Sequence, residues 1–300
     1  MTRSLDVSAY LDRLGVKGLD DEPSVESLVR LHRAHVERVP YECLDIWLGR
    51  ATTIDPMDSA ERIARGRGGY CFHLNGAFSA LLRRLGYRVT RQLAGAQNTP
   101  ADLAGAHGNH LALTVSGLPS PECPSGEWWV DVGLGDALHE PLPLVEGAYR
   151  QGPFTYVLRR SQAESGGWRL EHDPRGSFHA IDVRPGAVDM AAFAVKHRYL
   201  CTSPESGFVR VLCVQRRDAA GVDALRGLVL SRVGSDQVTT TLTSARDLYE
   251  ALADVFGLTL DDVGRPERDA LWKRLEEAHE RWLAASGAGG GRPPRGAPAS

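Results

Sequence analysis

The chain has 300 residues, 42% of them apolar and 24% charged, and its 35 Lys plus Arg against 38 Asp plus Glu leave a formal net charge of −3. That balance gives no electrostatic footprint for general nucleic-acid binding, and no apolar run is long enough to span a bilayer, so neither nucleic acid nor membrane is expected as a partner. The length allows one to three domains and a core large enough to need no disulfide staples.

Val7, Tyr10, Leu11 and Leu14 recur at helical spacing, and Gly15 is placed to end the helix. The pattern returns at Val25, Leu28, Leu31, His32 and Val36 after the start signal Pro23-Ser24. A third amphipathic helix begins at Cys71 and carries Leu74, Phe78, Leu81, Leu82 and Leu85, with Gly86 as its stop. Beyond Gly86, stretches rich in β-branched and aromatic residues recur between turn signals at 87–93, 110–115, 128–132, 154–160, 168–172 and 178–183, as in an antiparallel sheet or barrel. A connecting helix is expected over 190–199, strands over 209–215, 227–231 and 237–242, and helices over 244–256 and 266–284. Residues 286–300 have no apolar side chain larger than Ala and are expected to be disordered. No repeat, Walker loop, Rossmann fingerprint or zinc-ligand spacing is present, so no bound cofactor or metal is expected.

The segment Arg67-Gly68-Gly69-Tyr70-Cys71-Phe72 sets a cysteine after a glycine turn and in the first turn of a helix. Backbone N–H groups and the helix dipole stabilise a thiolate there, and the glycines are expected to leave the sulfur accessible. A cysteine nucleophile needs a histidine to take its proton and an acid to orient that histidine. His110 opens one expected strand and Asp131 lies 21 residues later in another, so antiparallel neighbours could present both to one face. His107 competes with His110 as the base, and Asp131 also suits a strand-end turn. The five cysteines, at 43, 71, 123, 201 and 213, form no Cys-x-x-Cys pair, and the first ten residues carry Asp6 rather than a basic and then apolar signal, so a reducing, cytoplasmic location is expected. The basic residues are 32 Arg and 3 Lys, a compositional skew without functional weight.

Five separated motifs occur in one order: Val39-Pro40-Tyr41-Glu42-Cys43-Leu44; Arg67 to Phe72 with Asn75; Asn109-His110-Leu111; Val130-Asp131-Val132-Gly133-Leu134-Gly135; and Ser203-Pro204 with Ser206 and Phe208. On these motifs the sequence resembles the arylamine N-acetyltransferases and the related amide synthases that close ansamycin-type macrolactams. The resemblance implies an α+β fold of three domains around a cysteine-protease-like catalytic core. These would be a helical bundle with the nucleophile at 1–86, an antiparallel β-barrel with the histidine and aspartate at 87–188, a connecting helical region at 189–205 and an α/β lid at 206–285, ahead of the tail at 286–300. It implies a Cys71, His110, Asp131 triad and ping-pong acyl transfer. Acetyl-coenzyme A or another acyl-coenzyme A would be the co-substrate, and an aromatic amine, hydrazine or N-hydroxyarylamine the acceptor. It further implies that Tyr41, Leu134 and Phe208 border the acceptor pocket, and that Arg67 pairs with Glu42 and also with Asp45 as structural support.

Three positions depart from the family pattern. His73 replaces the usual Glu two residues after the cysteine, Cys43 replaces Asn, and Leu134 replaces Phe. Leu is smaller and not planar, which favours an acceptor bulkier or less flatly aromatic than a simple aniline. The departures keep open an amide synthase fed by an acyl carrier protein, and the same triad would also serve a thiol hydrolase.

Overall fold

The computed structural model describes residues 4–286, so the expected tail lies outside the described residues except for Ser286, which closes the last helix. The chain begins with α1 (Val7–Leu14), where Asp6 accepts from the Ala9 amide at 3.0 Å and Gly15, at φ 62°, ends the helix. Ser24 caps α2 (Val25–Arg38) in the same way, accepting from Ser27 at 3.1 Å. There follow β1 (Tyr41–Glu42), α3 (Leu44–Trp47), α4 (Pro56–Ala64) and α5 (Cys71–Arg84). Every residue of α5 from Cys71 to Leu82 is buried. A helix buried on all sides belongs in a core even where it carries polar residues such as His73, Asn75 and Ser79, and α5 packs against both α4 and the sheet.

Eight antiparallel strands come next: β2 (Arg88–Gln97), β3 (His110–Ser116), β4 (Trp128–Val130), β5 (Leu142–Pro143), β6 (Gly147–Gln151), β7 (Phe154–Arg160), β8 (Trp168–Glu171) and β9 (Ala180–Val183). Their order in the sheet is β5-β4-β3-β2-β9-β8-β7-β6. The two edge strands, β5 and β6, are therefore consecutive in the chain and joined by residues 144–146 alone. Such a link spans at most ~15 Å, so the sheet curls on itself into a barrel with one unpaired seam among the described residues.

A 3₁₀ turn (Met190–Phe193) leads into α6 (Ala194–Thr202), so the expected single helix over 190–199 is a tighter turn followed by an α-helix. After α7 (Gly207–Arg210), strands β10 (Cys213–Asp218), β11 (Gly221–Arg226), β12 (Val229–Val233) and β13 (Gln237–Thr241) join β1 in a second antiparallel sheet ordered β1-β10-β11-β12-β13. The strand expected at 227–231 starts two residues later because Gly227, at φ 57°, and Leu228 form a two-residue hairpin between Arg226 and Val229. Helix α8 (Ala245–Glu250) runs on through a π-helical turn (Ala251–Val255), and α9 (Arg265–Ser286) ends the described chain. The fold is α+β, with helices on an antiparallel barrel and a smaller antiparallel sheet. That sheet is tied to the start of the chain by Tyr41↔Gln215 and Glu42↔Val214.

Candidate active site

The turn before α5 is built on glycine. A Cβ on Gly68 would lie 1.9 Å from the Pro40 carbonyl oxygen, so no larger residue fits there, and the next carbonyl, that of Gly69, accepts from the Glu42 amide at 2.9 Å. Tyr70 caps α5 without a side-chain hydrogen bond, and its carbonyl takes the His73 and Leu74 amides at 2.9 and 3.0 Å, so Cys71 sits in the first turn at the positive end of the helix dipole. The accessible sulfur that was expected is not found, since Cys71 is 1% exposed. The Asp131–Gly135 turn presses on it so closely that a Cβ on Gly133 would sit 2.7 Å from the Cys71 Cα.

Strands β3 and β4 pair through Leu113↔Val130, a register that carries His110 and Asp131 to the same side. His110 Nε2 lies 2.7 Å from Asp131 Oδ2, and both are buried. With Nε2 engaged, Nδ1 is the ring nitrogen left for Cys71. Burial alone would lower the His110 pKa, but the Asp131 charge, its hydrogen bond and the neighbouring Cys71 outweigh burial and push it up to about 10. The other Asp131 oxygen accepts from Asn75 Nδ2 at 2.6 Å and from the Gly133 amide at 3.0 Å. Asn75 also accepts from the Val132 amide at 2.9 Å, so one side chain fixes the aspartate and the residue after it.

His32 reaches the same turn from α2. Its Nε2 accepts from the Asp131 amide at 3.3 Å while Nδ1 donates to the His139 carbonyl at 3.0 Å, which defines a neutral tautomer. Burial pulls its pKa down to about 4, in keeping with that neutral form. Sequence reasoning placed His32 on an apolar stripe and missed this role. The helical offset of four residues between Cys71 and Asn75 was the available signal for Asn75.

The ion-pair frame holds both expected Arg67 pairs and adds Arg62 as the nearer partner of Glu42. Arg67 donates to Asp45 Oδ1 at 2.9 Å but lies 3.9 Å from Glu42, whose close partner is Arg62 at 2.6 Å. Arg62 also pairs with Asp45 and donates to the Gly68 carbonyl at 2.7 Å. Glu42 accepts from the Leu44 amide at 2.6 Å and the Gly68 amide at 3.3 Å. Burial raises the Glu42 pKa, yet the Arg62 and Arg67 charges prevail and hold it below its ordinary value. Together Glu42 and Arg62 grip both peptide groups of Gly68, three residues before the cysteine.

Tyr41 and Leu134 line a cavity with Asp131 that holds about 10 Å³, the size of one water molecule. Phe208 does not line it, but packs edge-on against Tyr41 with ring centres 6.2 Å apart. Cys43 packs under these residues, its thiol 3.9 Å from the Phe208 carbonyl, and burial pushes its pKa up. His107 is exposed and hydrogen-bonds the Leu103 and Ala104 carbonyls at 3.1 and 3.0 Å, which removes it as the competing base. Among the described residues no group of three or more His, Cys, Asp or Glu is placed to hold a metal, and no helix is long and apolar enough to cross a membrane.

A buried cysteine at a helix start, beside a His–Asp pair carried by a barrel, belongs here to an acyltransferase: the N-acetyltransferase family model matches residues 24–264. The chain is 32% identical to the arylamine N-acetyltransferase of Mycobacterium tuberculosis over 285 residues, covering 91% of this chain and 96% of that one. It is 30% identical to the arylamine N-acetyltransferase / N-hydroxyarylamine O-acetyltransferase of Salmonella typhimurium over 265 residues, covering 85% and 89%. The solved Mycobacterium marinum arylamine N-acetyltransferase in complex with CoA superposes with a TM-score of 0.79 at 26% identity, covering 91% of this chain and 99% of that one. This chain is a member of the arylamine N-acetyltransferase family.

Proposed function

We propose that this enzyme takes an acetyl group from acetyl-coenzyme A onto Cys71 and passes it to an aromatic amine, hydrazine or N-hydroxyarylamine. Cys71, His110 and Asp131 are the catalytic residues in this reading, with the helical segment 1–86 supplying the nucleophile and the barrel 87–188 the other two. The observation that carries it is the buried 2.7 Å contact between His110 and Asp131 beside Cys71, in a chain whose relatives bear that activity by name.

The Cys71 thiolate attacks the thioester carbonyl, and the coenzyme A sulfur leaves with the proton held on His110 Nδ1. In the second half, the amine attacks the acetyl-enzyme and gives its proton to His110 as Cys71 departs as thiolate. Asp131 holds the ring and stabilises its protonated form, and backbone amides beside Cys71 are the oxyanion donors. Glu42 and Arg67 are structural support, and Tyr41, Leu134 and Phe208 border the acceptor. A reducing cytoplasm suits a thiolate that a disulfide would inactivate.

Leu134 and Cys43, which replace a family Phe and Asn, favour a second reading in which the acyl chain is longer and carrier-bound. Intact-protein and peptide mass spectrometry after incubation with acetyl-coenzyme A tests both. One acetyl increment on the Cys71 peptide, discharged by an arylamine, supports the first reading. Loading from a carrier-bound thioester alone supports the second, and no adduct on Cys71 from either donor overturns the nucleophile assignment.

A further inference from the structure

Cys201 is the one cysteine of the five that is not buried. Its sulfur lies 3.3 Å from the Tyr70 hydroxyl and 3.8 Å from His197 Nδ1, and Tyr70 Oη is itself 2.5 Å from that nitrogen. His197 Nε2 donates to the Thr52 carbonyl at 2.9 Å, which fixes the ring and turns Nδ1 toward the sulfur and the phenol. His73, 2% exposed, packs its ring edge-on against Tyr70 and His197, at 4.4 and 5.8 Å between ring centres. Neither His73 ring nitrogen has a hydrogen-bond partner, so a buried polar group faces this cluster unsatisfied. Thr52, which touches Cys201, also lines an open cleft of about 530 Å³ between α4 and the 259–262 loop.

We propose that Cys201 is a second reactive thiol, a modification site at which a hydroperoxide forms a sulfenic acid beside the nucleophile loop. Burial opposes ionisation of this thiol, but the hydrogen bonds from His197 and Tyr70 and the His197 charge prevail and draw its pKa below the ordinary value. Cys43 and Cys213 go the other way, burial pushing Cys213 up to about 11. In the reaction the Cys201 thiolate attacks one peroxide oxygen, the S–O bond forms and the O–O bond breaks. Sulfur is oxidised by two electrons, and the departing oxyanion, hydroxide when the oxidant is hydrogen peroxide, takes the His197 proton to leave as water or as the corresponding alcohol. Tyr70 immediately precedes Cys71, so an oxygen added at the sulfur crowds the hydroxyl of the residue that caps α5. Slower acetyl loading of Cys71 is expected, a consequence that rests on the acyl-transfer reading, whereas the labelling itself does not.

The test treats the reduced full-length protein with hydrogen peroxide in the presence of dimedone and maps the adduct by peptide mass spectrometry. Cys201 is expected to label before the other four thiols. Removing the imidazole in His197→Gln should slow that labelling, by about threefold for each pKa unit regained once the compensating rise in nucleophilicity is counted. Cys201→Ser should keep its acetyl loading at peroxide doses that inhibit the wild type. First labelling at Cys71, an unchanged rate in His197→Gln, or equal inhibition of Cys201→Ser would each overturn the proposal.

Discussion

Replacing Glu42 by Gln keeps the side-chain volume and removes one charge from a carboxylate with no exposed surface. Its oxygens receive Arg62 at 2.6 Å and the Leu44 and Gly68 amides at 2.6 and 3.3 Å. In the variant, Arg62 and Arg67 converge on Asp45 as their remaining buried carboxylate. Breaking a buried pair in this way costs ~3–5 kcal/mol. With an unfolding entropy of ~0.6 kcal/mol/K for 300 residues, Tm should fall by ~5–8 °C. The sign with pH follows from the depressed Glu42 pKa. The native pair contributes fully above the unfolded carboxyl value of ~4.3, and that contribution is lost as pH falls through the folded value. Scanning calorimetry of both proteins from neutral to acid pH measures the difference. An unchanged Tm at neutral pH, or a gap that fails to narrow in acid, would refute the reasoning.

Asn75→Ala removes a donor to Asp131 and the acceptor of the Val132 amide; a hydrogen bond to a charged group is worth ~1.5–3 kcal/mol, so the acetyl-loading rate should fall ~10–150-fold, as stopped-flow measurement of thioester formation would show. Leu134→Phe fills a cavity of only about 10 Å³, and competition between small flat and bulky amines should shift toward the small ones; an unchanged ratio removes Leu134 from the acceptor site. His110, with its pKa raised to about 10, stabilises the folded state fully below the unfolded value of ~6.5 and loses that contribution as pH rises through the folded value. The Tm gap between wild type and His110→Gln should therefore close on the alkaline side, and a gap constant with pH would contradict the pairing.

The residues of the site were legible where chemistry leaves a local mark. Cys71 follows a glycine turn at a helix start, and Asp131 stands among Trp129, Val130 and Val132, where an unpartnered carboxylate is costly. Arg62 was not, because its work is defined by Glu42 and Asp45, both on elements across from α4. Strands β1 and β5, at two residues each, are too short to show any alternation. The barrel was readable from the recurrence of turns, but its seam was not, since closure is a property of strand order. The burial of Cys71 also escaped the sequence, because the turn that covers it arrives from residues some sixty positions away.

The pairing of β1 with β10, Tyr41 to Gln215 and Glu42 to Val214, sets a schedule for the chain as it is made. At ~5–20 residues per second, the ribosome needs roughly 10–35 s after Glu42 emerges to deliver Val214. Through that interval β1 has its contact with Gly69 but lacks its sheet partner, and a nascent strand left so is open to wrong partners. The loop before Cys71, whose Gly69 carbonyl is held by the Glu42 amide, rests on that same strand. Truncation before β10 would therefore yield a polypeptide that carries Cys71, His110 and Asp131 but leaves β1, the strand that holds the Cys71 loop, without its sheet partner.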